Sequence, residues 1–249
     1  MKIKGLIRGC LAAVVTVCGF TTAEASVIFI SGTDAMSFHQ DVSYISPVLN
    51  TLQGASSQNV LVIGGTTINN MTSVGLTYGG GVLGSEVLSN YSAIIFQSPC
   101  CSDPASRLGS RAADVAAYVA AGGGLYIEDY QGLSAWDGIL GIPAGAGAAS
   151  VVDTLTCIDP GVSTPGGIAF GFNSSYSEGC FVHQSYDQSL WASEGFFALQ
   201  TKTDGNWVTM ATGFRDPGTV PEPASLALIG LGMAAFGLGA TRRSRKAQA

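Results

Sequence analysis

The chain has 249 residues, with 11 Lys and Arg against 17 Asp and Glu, a formal net charge of −6. Between its two atypical ends, residues 26–219 hold four cations (Arg107, Arg111, Lys202, Arg215) against 15 carboxylates, a net of −11, which argues against nucleic acid as a partner because nothing there would neutralise phosphates. That length buries a full core in one domain, and the acidic surface suits an exported soluble domain or, alternatively, one that meets divalent cations.

In chain order, Lys2, Lys4 and Arg8 precede an apolar stretch over residues 10–20, and Ala23-Glu24-Ala25 offers small residues at a cleavage site. This predicts a signal peptide over residues 1–25, removed by signal peptidase. Short, nearly continuous apolar runs follow at 26–31 (SVIFIS), 59–65 (NVLVIGG), 92–98 (SAIIFQS) and 124–129 (GLYIED). Bounded by turn residues, they predict strands buried on both faces, hence a parallel sheet. A helix is expected over 35–52, interrupted or restarted at Pro47. A second should open with Asp103 as cap and Pro104 in its first turn, carry Leu108, Ala112, Val115 and Val119 on one face, and stop at Gly122–Gly124.

The later part is less regular. Loop segments flank an expected strand at 151–157, and residues 195–200 and 206–214 on either side of Asp204-Gly205 predict a hairpin. Cys10 and Cys18 leave with the leader, so Cys100, Cys101, Cys157 and Cys180 remain, an even number in an oxidising compartment. Adjacent cysteines strain the peptide between them, which makes Cys157 with Cys180 the preferred pair and leaves Cys100 and Cys101 open.

The pieces LSNYSAIIFQS (88–98), YVAAGGGLYIEDYQG (118–132) and LQTKTDGNWVTMATGF (199–214) together resemble the class I glutamine-amidotransferase-like fold. The resemblance implies a three-layer, flavodoxin-like α/β architecture with a late β-hairpin. Active members place a nucleophilic cysteine where the strand after the Gly-rich helix end turns sharply. Here that stretch reads IEDYQG, with neither thiol nor serine, so amidotransferase activity is not expected. His183, in CFVHQSYD, is a candidate base, but in an apolar segment beside Cys180 it reads as structural, and His39 on the first helix reads likewise.

The crevice at the C-terminal ends of the parallel strands is where open α/β sheets bind ligands. Asp34 follows the first strand, and Glu128 and Asp129 end the fourth. Three carboxylates there could hold Ca²⁺ or Mg²⁺, or bind sugar hydroxyls with Tyr130 and Trp136 as stacking faces. The competing reading makes Asp34 a helix cap and leaves Glu128 and Asp129 on a solvated loop. Gly79–Gly84 matches G-x-G-x-x-G but lacks the strand and acidic residue of a nucleotide unit.

The chain closes with Val220-Pro221-Glu222-Pro223, an apolar Gly-rich run over 224–240, and a basic cluster of Arg242, Arg243, Arg245 and Lys246. Seventeen apolar residues make a short transmembrane helix, and the cations hold its end in the cytoplasm with everything upstream outside. This order resembles the PEP-CTERM sorting signal of Gram-negative bacteria. The resemblance implies recognition by an exosortase, a membrane-embedded cysteine transpeptidase that cuts near the motif. The chain then divides into leader (1–25), exported domain (26–219) and sorting signal (220–249). Three functions follow: a noncatalytic surface or matrix protein binding exopolysaccharide or another envelope component; a secreted hydrolase or other enzyme with a carboxylate or metal site at the C-terminal ends of the parallel strands; and a structural matrix component without a small ligand.

Overall fold

The computed structural model describes residues 26–54, 58–64, 73–74, 81–98, 104–129, 134–153, 157, 160–177 and 179–213. The leader and the sorting signal, with its expected transmembrane helix, lie outside these, as do Cys100, Cys101 and Tyr130. Among the described residues no helix is long and apolar enough to cross a membrane.

β1 (Ile28–Ser31) leads through a turn into α1 (Val42–Gln53), followed by β2 (Asn59–Ile63), β3 (Ser73–Val74) and β4 (Tyr91–Phe96). Then come a 3-10 turn (Pro104–Leu108), α2 (Ala112–Ala120) and β5 (Gly124–Glu128). The second half holds α3 (Asp137–Leu140), α4 (Ala146–Ala149), β6 (Val151–Asp153), β7 (Gly161–Ser163), α5 (Pro165–Phe170), β8 (Ser175–Tyr176), β9 (Ser185–Tyr186), α6 (Gln188–Ser193), β10 (Phe197–Thr201) and β11 (Trp207–Thr212). The order across the sheet is β3-β2-β4-β5-β1-β11-β10-β7-β8, with β9 also on β11 and β6 on β9.

The architecture is mixed α/β with a central parallel region, β3 to β1, extended by antiparallel strands. The expected parallel sheet with a late hairpin is met in its parallel part, and the antiparallel share is larger than that hairpin, taking in β6 to β9 as well. A parallel connection needs a crossover of a dozen or more residues, whereas the Asp204-Gly205 turn joins β10 to β11 directly and lays them antiparallel, and β11 also pairs antiparallel with β1. A flavodoxin-like order would set the first strand between the second and third; here β4 and β5 separate β2 from β1.

The continuous apolar runs are explained by helices on both faces. Ile30, Leu61, Ile63, Ile94, Phe96, Leu125 and Ile127 point to one face, where Val115 and Val119 of α2 and Trp136, Ile139 and Trp191 pack. Phe29, Val60, Val62, Ala93, Ile95 and Tyr126 point to the other, against Tyr44, Ile45, Val48, Leu49 and Leu52 of α1. Strict alternation along each strand sorts the two sets.

Both expected helices differ in their starts. α1 begins at Val42 with Asp41 as cap, its carboxylate accepting from Ser43 N at 2.8 Å, and it continues through Pro47. Pro47 removes one helical hydrogen bond, but the buried apolar stripe holds the helix together. Downstream, Gly109 takes φ +55° and splits the expected second helix into the 3-10 turn and α2.

Candidate functional site

β1 and β5 are parallel neighbours whose last residues, Ser31 and Glu128, are register partners. Beyond β1 the chain meets the segment 181–184 closely. Gly32 O accepts from His183 N at 2.7 Å and Gln184 N at 3.0 Å, Thr33 bridges to Val182, and Asp34 N donates to Phe181 O at 3.3 Å. A Cβ on Gly32 would lie 2.0 Å from Gln184 O, so the approach requires glycine.

Asp34 then turns the chain. Its carbonyl accepts from the backbone N–H groups of Ser37, Phe38 and His39 at 2.9–3.2 Å. The turn aims Met36 N and Ser37 N at Glu128 Oε1, at 3.0 and 3.2 Å. Ser98 N, just past β4, donates to Oε2 at 2.9 Å, and Gln97 Nε2 donates to Met36 O at 2.8 Å. Glu128 therefore ties together the exits of three strands. Burial pushes its carboxyl up to about 8, the N–H groups of Ser98 and Met36 and the Ser37 side chain opposing the rise and the Asp34 charge adding to it. Arg107, itself buried, senses the Glu128 charge, which counters the lowering that burial imposes on its guanidinium.

Asp34 and Asp129 are equally engaged. Asp34 is not the helix cap; its Oδ1 lies 3.2 Å from His39 Nε2 and its Oδ2 3.1 Å from His183 Nε2. His39 sits in the turn before α1 rather than on a helix, against the rings of Phe38 and Phe181. Asp129, on the opposite face, accepts from Gln184 Nε2 and from Tyr186 OH. Neither Glu128 nor Asp129 is on a solvated loop: both are fully buried. Behind them Tyr44 OH gathers Ser31 Oγ, Tyr126 OH and Thr209 Oγ1 within 3.1 Å, a hydroxyl cluster sealed by α1.

The three carboxylates named from the sequence thus occupy the strand-end crevice, joined by two histidines read there as structural. Gln184 and Tyr186 went unnoticed. Their only sequence signal was polar residues recurring in an apolar stretch, and nothing in the sequence says which acid they meet. Trp136 is no stacking face for a sugar, being fully buried with its ring 4.9 Å from that of Phe96. Among the described residues no group of three or more His, Cys, Asp or Glu side chains is placed to hold a metal ion. Cys157 and Cys180 form a disulfide with Cα atoms 4.4 Å apart. It anchors the segment carrying His183 and Gln184, at a point where Cys180 takes φ +64°. Of the two histidines on Asp34, His183 is the more open, its side chain 17% exposed against 9% for His39, beside a carboxylate that is 7% exposed.

The described fold ends at Gly213, beside its own beginning at Ser26. Beyond it, residues 219–245 match the PEP-CTERM protein-sorting motif. The chain is an exported, exosortase-sorted protein. The match covers the tail alone, and no curated protein and no solved structure matches the chain. The crevice of this PEP-CTERM-bearing protein is accordingly read from its own geometry. A groove of about 890 Å³ lies at the opposite end of the parallel strands between the starts of β1, β4 and β5, with Gln58, Tyr91, Ser92, Arg111, Asp114 and Tyr118 in its walls. No sequence motif marks it.

Proposed function

We propose that this is a noncatalytic cell-surface or matrix protein, exported across the inner membrane of a Gram-negative bacterium, held there transiently, and passed by exosortase to the envelope or extracellular matrix. Signal peptidase removes residues 1–25, and Val220-Pro221-Glu222-Pro223, the apolar run and the Arg242, Arg243, Arg245 and Lys246 cluster carry the sorting step. The exported domain binds an exopolysaccharide or another envelope component through its polar surface. One observation carries the noncatalytic reading: the Glu128 carboxylate, at the turn where an amidotransferase-like fold would present its nucleophile, accepts three backbone N–H groups. A group so engaged is an internal tie, and freeing it for chemistry would leave three buried donors unsatisfied.

The test is thermal unfolding of the purified protein against a panel of bacterial exopolysaccharides, with Ca²⁺ and Mg²⁺ as separate arms. A saturable upward shift with a polysaccharide supports the reading, because a ligand that binds only the folded state stabilises it. A shift with the cations alone, lost in Asp34→Ala, would sink it in favour of a metal site.

A second reading, a secreted hydrolase, is favoured by the 3.1 Å contact of Asp34 Oδ2 with His183 Nε2, the arrangement that orients a general base. Turnover of a glycan or ester that disappears in His183→Ala would establish it.

A further inference from the structure

The two ends of the described fold are register partners. β1 starts at Ile28 and β11 finishes at Thr212, and the antiparallel ladder pairs these residues directly. One step outward the approach is closer still. A Cβ on Gly213 would lie 1.6 Å from the Ser26 carbonyl oxygen, and Gly213 takes φ +86°, a combination that only glycine meets. Ser26 Oγ in turn donates to the Val119 carbonyl in the last turn of α2. The chain therefore comes in and goes out through one small patch, at the N-terminal ends of the parallel strands.

The carboxylate-histidine crevice is at the other end. β1 itself advances three steps from Ile28 to Ser31, about 10 Å at the strand rise, and Asp34 lies beyond the bend that follows it. We infer that the end of the sheet carrying Ser26 and Gly213 is the surface that faces the membrane while the chain is attached, so that the end holding Asp34, His183 and Glu128 points away from it. This rests on the proposed reading that residues 1–25 lead export and that the apolar run beginning at Ala224 is the anchor.

The reach of the link supports the orientation. Ten residues lie between Gly213 and Ala224, a span of at most about 40 Å. Once signal peptidase has removed residues 1–25, this link alone holds the domain, and it leaves from the patch that Ser26 and Gly213 share. Turning the crevice toward the lipid would use part of that span to pass the length of the domain, whereas the patch toward the membrane needs none of it. The groove walled by Tyr91 and Tyr118 opens at this same membrane-side end.

The experiment uses the full chain in a Gram-negative host without an exosortase, so that the tail stays in place. A benzophenone amino acid replaces Ser89, exposed at the near edge, or Phe38, 73% exposed beside the crevice, and is irradiated in intact spheroplasts. A gel shift reporting the Cys157–Cys180 disulfide checks that each variant has folded. The expected result is lipid crosslinking several-fold greater from position 89 than from position 38. Equal or reversed crosslinking in a membrane-held, exported chain overturns the orientation alone. A chain absent from the membrane fraction overturns the sorting reading and the orientation with it.

Discussion

Asp34 and His183 stand 149 residues apart in the chain and 3.1 Å apart in the fold. The contact closes the turn after β1 onto the segment 181–184, which the Cys157–Cys180 disulfide holds from its other side. Both groups are mostly withdrawn from water, so the interaction is screened far less than a surface pair.

Asp34→Asn keeps the shape and removes the charge shared by the two histidines. It is expected to destabilise the fold by about 1 to 3 kcal/mol, read as a lower urea midpoint at unchanged slope. In a double-mutant cycle with His183→Ala the coupling should exceed about 0.5 kcal/mol. A coupling indistinguishable from zero would mean that the pair is merely adjacent.

Glu128 gives a pH signature of definite sign. Its folded carboxyl is raised to about 8 from the ordinary 4.5, so the folded state binds the proton more tightly than the unfolded one. Its contribution is fully present below the unfolded value and is lost as pH rises through about 8, at up to about 1.4 kcal/mol per pH unit. Urea midpoints between pH 4.5 and 8 should fall less steeply in Glu128→Gln than in the parent. The same variant should be less stable at the acid end, because its amide N–H₂ meets the Ser98 N–H donor. Parallel pH profiles would contradict the assignment.

Opening the Cys157–Cys180 bridge frees a loop whose ends are 23 residues apart, a loss of about 3 kcal/mol. For a domain of this size that lowers Tm by roughly 6 to 12 °C, measurable by calorimetry with and without a reductant. The amides of His183 and Gln184, bonded to Gly32 O, should exchange faster in the reduced protein. Unchanged exchange there would separate the disulfide from the crevice.

Two glycines predict opposite outcomes. Gly138, in α3, has open space around a would-be Cβ, and Gly138→Ala should stabilise by about 0.4 to 1 kcal/mol. Gly32→Ala places a methyl 2.0 Å from a backbone carbonyl and should cost about 2 kcal/mol or more. Thermal scans of the pair side by side decide it.

Replacing the sorting residues Pro221 and Glu222 with Ala should leave a membrane-bound form of higher mass in cells that contain an exosortase. Fractionation and intact mass follow the outcome, and normal release would show that these residues are dispensable.

The sequence by itself determined the four parallel strands, since an apolar run covered on both faces is a local pattern that needs no partner to be recognised. It also determined the β10–β11 hairpin, which its Asp-Gly turn announces, the Cys157–Cys180 pairing, and the sorting tail, whose motif is contiguous. Tertiary structure alone decided that β11 adds to β1 antiparallel, that Gly109 splits the second helix, and that Asp34, His39, His183, Gln184 and Tyr186 surround the ends of β1 and β5. Those relationships depend on which buried donor finds which acceptor across as many as 149 residues. A carboxylate reads the same in sequence whether water or three backbone amides surround it. Only folding placed Glu128 in the second environment, by bringing the exits of β1 and β4 to the end of β5.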